Sequence, residues 1–147
     1  MSAEGMVLVG RLGWATIEGA GWRPRGVGGL TLGADPVAYA IAAASYLGGK
    51  PIDAFTVRKE PKGHGTKRLI EGNFRSGDPV VIVEDVITSG ESAARAAAAV
   101  EEAGGSVLGI LAVVDREQGG RQALESQGRR VLVLTTATEL GLGESRE

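Results

Sequence analysis

A chain of 147 residues is long enough for one domain with a real core and hardly for two, so one domain over residues 1–147 is expected. With 43% hydrophobic and 23% charged residues and a net charge of −2, the composition is that of a globular protein without a global basic field to recruit nucleic acid. The absence of cysteine and the single histidine exclude disulfides, thiolate metal sites, a cysteine nucleophile and multi-histidine metal centres. No apolar run approaches the ~20 residues of a membrane helix, and no signal-peptide pattern opens the chain. A cytoplasmic location without a membrane partner is the resulting expectation.

Taken in chain order, residues 6–19 read as a helix, with Leu8, Leu12, Ala15 and Ile17 forming a loose apolar stripe. Val27 to Leu32 reads as a short strand, Gly33-Ala34-Asp35-Pro36 as a turn, and Pro36 sits where a first helical turn tolerates it. That helix runs through Val37 and Ile41 to the stop at Gly48-Gly49. Ala54 to Val57 is a second strand. Val80 to Val83, four apolar residues of which every one is β-branched, suits a strand covered on both faces. The alanine-rich stretch 90–103 is a helix, Val107 to Val114 a strand, Gln118 to Gln127 a helix and Val131 to Thr135 a last strand. Strands alternating with helices predict an α/β fold, a Rossmann-like parallel sheet flanked by helices. Ligands of such sheets sit at the carboxyl ends of the strands.

The most informative stretch continues from that buried strand: Glu84-Asp85-Val86-Ile87-Thr88-Ser89-Gly90-Glu91-Ser92. Adjacent acids cannot both be core residues, because each would bear a large desolvation cost. The Thr-Ser-Gly turn opens a helix, where free N–H groups beside hydroxyls form an anion cradle. Carboxylates for sugar hydroxyls or a metal, next to a phosphate seat, suggest a sugar-phosphate ligand. A plain strand–loop–helix junction with Thr88 or Ser89 as N-cap is the bland alternative.

A second dense segment runs from Phe55 to Arg68, with five cationic side chains and the histidine around Pro61, Gly63 and Gly65. It is too polar to be core, and its glycines permit opening and closing. On charge alone it is a solvated loop or a small nucleic-acid patch, the latter weakened by the lack of aromatics among its charges. At the end of the strand from Val107, Asp115-Arg116 is on its own terms a surface ion pair of little worth.

Together these motifs resemble the type I phosphoribosyltransferases, which bind phosphoribosyl pyrophosphate (PRPP). The order Arg58-Lys59-Glu60-x-Lys62-x-His64-Gly65 followed by Ile70-Glu71-Gly72 looks like the catalytic loop of the orotate phosphoribosyltransferases in particular. The resemblance covers roughly residues 25–140 and implies the type I phosphoribosyltransferase fold. It implies transfer of the 5-phosphoribosyl group from PRPP to orotate, giving orotidine 5′-phosphate and pyrophosphate for pyrimidine synthesis, with Mg²⁺ held mainly by substrate and water. By the same resemblance Glu84 and Asp85 contact the ribose hydroxyls, the span Val86, Ile87, Thr88, Ser89, Gly90, Glu91 and Ser92 binds substrate with Thr88 to Ser92 seating the 5′-phosphate, and Arg116 holds the orotate carboxylate. Arg58, Lys59, Lys62 and His64 hold pyrophosphate, with Lys62, His64 and Asp85 as the catalytic set. Some loop residues would reach a neighbouring subunit, which implies a homodimer. Gly28 to Pro36 takes the place of the pyrophosphate loop, with Leu32, Gly33, Ala34 and Asp35 offering backbone groups.

Two departures stand out. No lysine lies between Arg25 and Lys50, where many members carry one. The chain also begins at what looks like the helix after the family's N-terminal hood, which elsewhere supplies a lysine and aromatic contacts to the base; Trp14 and Trp22 read as packing residues instead. The alternatives left by the sequence are a phosphoribosyltransferase for another nucleobase and a PRPP-binding regulator.

Overall fold

The computed structural model describes residues 1–61 and 68–143. Helix α1 (Ala3–Gly19) starts three residues earlier than its apolar stripe suggests, because Ser2 caps it: its hydroxyl accepts the Gly5 N–H at 3.0 Å. Next come β1 (Gly26–Leu30), α2 (Ala34–Leu47), β2 (Asp53–Val57) and β3 (Ile70–Gly72). The second half supplies β4 (Pro79–Ile87), α3 (Glu91–Glu102), β5 (Ser106–Asp115), α4 (Gly120–Ser126) and β6 (Val131–Thr136).

The six strands form one sheet in the order β3-β2-β1-β4-β5-β6, parallel throughout except for β3, which runs antiparallel to β2. The expected parallel α/β sheet is therefore present, with a three-residue antiparallel edge strand that a strand-by-strand reading of the sequence does not show. Alternate residues of β4 face opposite cores. Val80 and Ile82 pack with Phe55, Ile110, the alanines of α3 and Leu124 of α4. Val81 and Val83 pack with Ile17 of α1, Val37 and Ile41 of α2, and Leu111. A strand buried on both faces has to be apolar at every position, which is why β4 reads as a continuous hydrophobic run. Trp22 is buried in the second core, with the Arg130 guanidinium 5.4 Å from its ring centroid, in keeping with a packing role.

Strand order reverses between β1 and β4, the two strands at the centre, and that reversal opens a crevice at their carboxyl ends. The β1–β4 ladder stops at Gly28↔Ile82. The flanking ladders run further, β1–β2 to Leu30↔Val57 and β4–β5 to Ile87↔Asp115. Among the described residues, the acid pair with its turn and Arg116 follow strands whose carboxyl ends lie at this edge.

Candidate active site

One lip of the crevice is the end of β4. The strand continues four residues past the apolar run, so the acid pair lies within it rather than beyond it. Pleating turns adjacent side chains to opposite faces. Glu84 is buried at 6% exposure, whereas Asp85 is exposed and its Oδ1 accepts the Val86 N–H at 2.8 Å. Burial foremost, and then the Asp85 charge, push the Glu84 carboxyl up to about 7. Two neighbouring acids are thus kept distinct, Glu84 buried with its carboxyl pushed up and Asp85 facing solvent.

After Ile87, residues 88–90 turn the chain into α3. The N-cap is Gly90, at φ 83° and without a side-chain cap. Glycine is required there by backbone and by space alike, since a Cβ would lie 2.8 Å from the Gly120 carbonyl and 3.0 Å from Leu124. This counts against Thr88 or Ser89 as an ordinary cap. Thr88, Ser89, Glu91 and Ser92 are all exposed, and Ser89 Oγ accepts the Glu91 N–H at 3.3 Å. The hydroxyls of Thr88 and Ser92 are hydrogen-bonded to no described residue. Exposed hydroxyls thus lie next in sequence to the free N–H groups of a helix's first turn, a combination suited to an anion.

The other lip is the β1–α2 connection. Its Thr31–Leu32 peptide bond is cis. Asp35 pins the loop: its carboxylate accepts Thr31 Oγ1–H at 2.8 Å and Thr56 Oγ1–H at 3.0 Å, which ties the loop to β2. Gly33 faces Asp85 so closely that a Cβ would sit 2.9 and 3.0 Å from its two carboxylate oxygens. The two lips therefore touch at Gly33 and Asp85.

A cleft of about 730 Å³ opens beside β4, with walls of Val86, Val114, Ala137 and Leu140 and with Arg116 as its cation. Arg116 is exposed and reaches β4 through its backbone N–H, which donates to the Ile87 carbonyl at 3.0 Å. Asp115 does not pair with it as a surface ion pair would. It is 4% exposed, and its Oδ1 accepts the Glu117 N–H at 2.9 Å.

At the outer edge, Arg58 holds the Glu71 carboxylate at 3.3 Å, and the Lys59 carbonyl accepts from Arg95 of α3 at 3.2 Å. The start of the basic segment is thereby tied to the helix that carries the phosphate turn. Lys62 and His64 lie outside the described residues.

No protein-family model matches the sequence. The orotate phosphoribosyltransferase of Aquifex aeolicus is 48% identical over 137 residues, which is 93% of this chain and 74% of that protein. This chain belongs to the orotate phosphoribosyltransferase family. Solved structures agree. The Mycobacterium tuberculosis orotate phosphoribosyltransferase in complex with PRPP is 46% identical with a TM-score of 0.81, over 92% of this chain and 75% of that one. A phosphoribosyltransferase from Corynebacterium diphtheriae is 39% identical with a TM-score of 0.85, over 96% and 80%. The chain spans about three quarters of the length of these relatives.

Family membership makes it a transferase with the type I phosphoribosyltransferase fold. Glu84, Asp85 and the span Val86 to Ser92 line one lip of a single crevice, and Arg116 flanks it. Sequence reasoning missed the side-chain roles of Asp35, Thr31, Thr56, Glu117 and Thr138. A hydroxyl four residues before an acid, as in Thr31 and Asp35, was the one signal available for the first of these.

Proposed function

We propose that this chain transfers the 5-phosphoribosyl group of PRPP to N1 of orotate, giving orotidine 5′-phosphate and pyrophosphate. The observation that carries this reading is the continuity of β4: one strand delivers the acid pair, the hydroxyl-rich turn and, through the Ile87 carbonyl, the placement of Arg116. Sugar, phosphate and base sites are then spaced by a single rigid element, as positioning catalysis requires.

In this reading the exposed Asp85 accepts from a ribose hydroxyl and, with Glu84 behind it in the strand, favours the positive charge that develops at C1 as the bond to pyrophosphate breaks. The electron pair of that bond leaves with pyrophosphate, so no covalent protein nucleophile is needed. Residues Thr88 to Ser92 seat the 5′-phosphate. Arg116 offers a planar fork to the orotate carboxylate between apolar walls that favour the ring. Arg58 and Lys59, with Lys62 and His64 from the sequence, form the cationic set for the leaving pyrophosphate.

The acid pair also fits Mg²⁺. One or two hard carboxylates completed by substrate oxygens and water suit this ion. When bound, Mg²⁺ neutralises charge on the pyrophosphate. A cytoplasmic homodimer in which the basic segment serves the neighbouring subunit completes the proposal. No helix among the described residues is long and apolar enough to cross a membrane.

The test is loss of orotate absorbance with PRPP and Mg²⁺, repeated with adenine, hypoxanthine and uracil. Turnover confined to orotate supports the proposal. Turnover confined to another base, or saturable PRPP binding without turnover on any base, overturns it.

A further inference from the structure

Among the described residues, Glu117 is the one non-glycine residue with a positive φ, at 60°, a conformation that costs energy and persists only where the surroundings enforce it. Here it is enforced from two sides. The Glu117 N–H donates to Asp115 Oδ1 at 2.9 Å, and Asp115 is buried. The Glu117 carboxylate crosses to the segment after β6, where Oε2 accepts both the Thr138 N–H, at 3.2 Å, and the Thr138 hydroxyl. The same segment is joined to β5 through the Ala137 N–H, which donates to the Asp115 carbonyl at 2.9 Å.

The position of this clasp gives it meaning. Arg116 immediately precedes Glu117, and Ala137, Thr138 and Leu140 form the wall opposite β4 in the cleft that Arg116 enters. An unpartnered carboxylate beside Arg116 would compete with any anionic ligand for the guanidinium. Two donors from Thr138 hold this one on the far wall instead. Glycine, the residue that accepts a positive φ without strain, would keep the turn and lose the clasp.

Resting on the proposed function above, we infer that Glu117 is a positioning residue for the base: its clasp on Thr138 sets the far wall of the cleft and frees Arg116 for the orotate carboxylate. Its hydrogen bonds run to Asp115 and Thr138 and not to Asp85 or residues 88–92, so its effect separates from PRPP recognition.

The experiment compares wild type, Glu117→Gly, Glu117→Gln and Thr138→Val in steady-state assays with each substrate varied in turn, beside thermal unfolding of each. Glu117→Gly relieves the backbone while removing the clasp. It is expected to raise KM for orotate roughly tenfold, the scale of one lost charged hydrogen bond, to leave KM for PRPP within about twofold, and to keep Tm unchanged. Glu117→Gln retains an acceptor oxygen and should recover most of the orotate affinity. Thr138→Val should add little to the effect of Glu117→Gly when the two are combined, since both remove the same contact. An unchanged KM for orotate in Glu117→Gly, or KM values for both substrates that rise together, would overturn the inference. A wild-type protein that turns over PRPP with a different base, or with none, would overturn the function on which it rests.

Discussion

Replacing Gly33 by alanine isolates the contact between the two lips of the crevice. Gly33 has φ −56° and ψ −39°, a backbone that alanine adopts freely, so the substitution brings no conformational strain. The added methyl would meet Asp85 Oδ1 at 2.9 Å, Oδ2 at 3.0 Å and Cγ at 3.1 Å. Asp85 is exposed, so its carboxylate can swing away by several tenths of an ångström at little cost to the fold. Stability gains about 0.4–1 kcal/mol from the stiffer unfolded chain, which offsets that shift, and Tm should stay level or rise slightly. A displaced carboxylate loses much of a charge-assisted hydrogen bond worth about 1.5–3 kcal/mol. The corresponding fall in kcat/KM for PRPP is roughly ten- to a hundredfold. Initial rates with PRPP varied at saturating orotate, beside a thermal melt, measure both quantities. Gly33→Ala combined with Asp85→Asn should be scarcely worse than Asp85→Asn alone, because the two changes act on one carboxylate. Wild-type kinetics in Gly33→Ala, or a loss of activity that tracks a fall in Tm, would refute the reasoning.

Three further outcomes are expected. Because the folded state holds the Glu84 carboxyl at about 7, above its unfolded value, it favours the neutral form; the contribution is intact below about pH 4.5 and is lost as pH rises to about 7, a penalty on the order of 3 kcal/mol. Denaturant unfolding at pH 5 and pH 8 should show Glu84→Gln with a flatter pH dependence than wild type, and parallel dependences would contradict the burial argument. Arg116→Lys keeps the charge but loses the planar fork, so KM for orotate should rise about tenfold or more while KM for PRPP holds; an equal rise in both would remove Arg116 from the base cleft. Gly109→Ala would drive a methyl to 2.4 Å from Cη2 and Cζ2 of Trp22 and 3.0 Å from the Arg130 carbonyl. It should cost about 1–3 kcal/mol by overpacking, read by tryptophan fluorescence during unfolding, with activity at 25 °C preserved.

Features with local chemical causes were legible in the sequence. The four β-branched residues from Val80 announced a strand buried on both faces, and the acids after it announced its exposed end, because two adjacent carboxylates cannot both be buried cheaply. The strand's true end at Ile87 was harder to read, since Glu84 and Asp85 look like a terminus although pleating lets one hide while the other faces out. Strand β3 escaped notice because three residues carry no periodicity, and its pairing with β2 is set by tertiary register, not by propensity. The Glu117–Thr138 clasp spans 21 positions and depends on a single backbone dihedral, which composition does not encode. Lys62 and His64 rest on the sequence alone.

The early stop of the β1–β4 ladder at Gly28↔Ile82 bears on how the fold breathes. Past that point the halves β3-β2-β1 and β4-β5-β6 are no longer stitched by main-chain hydrogen bonds, and opening fluctuations have a natural seam there. A ligand gripping the Thr31–Asp35 loop on one lip and Asp85 to Ser92 on the other is a cross-brace over the seam. At a concentration one hundred times its Kd it adds about 2.7 kcal/mol against unfolding. That energy is delivered where the sheet is least joined, so amide exchange should slow first in the residues bordering the crevice and only later in the cores beneath them.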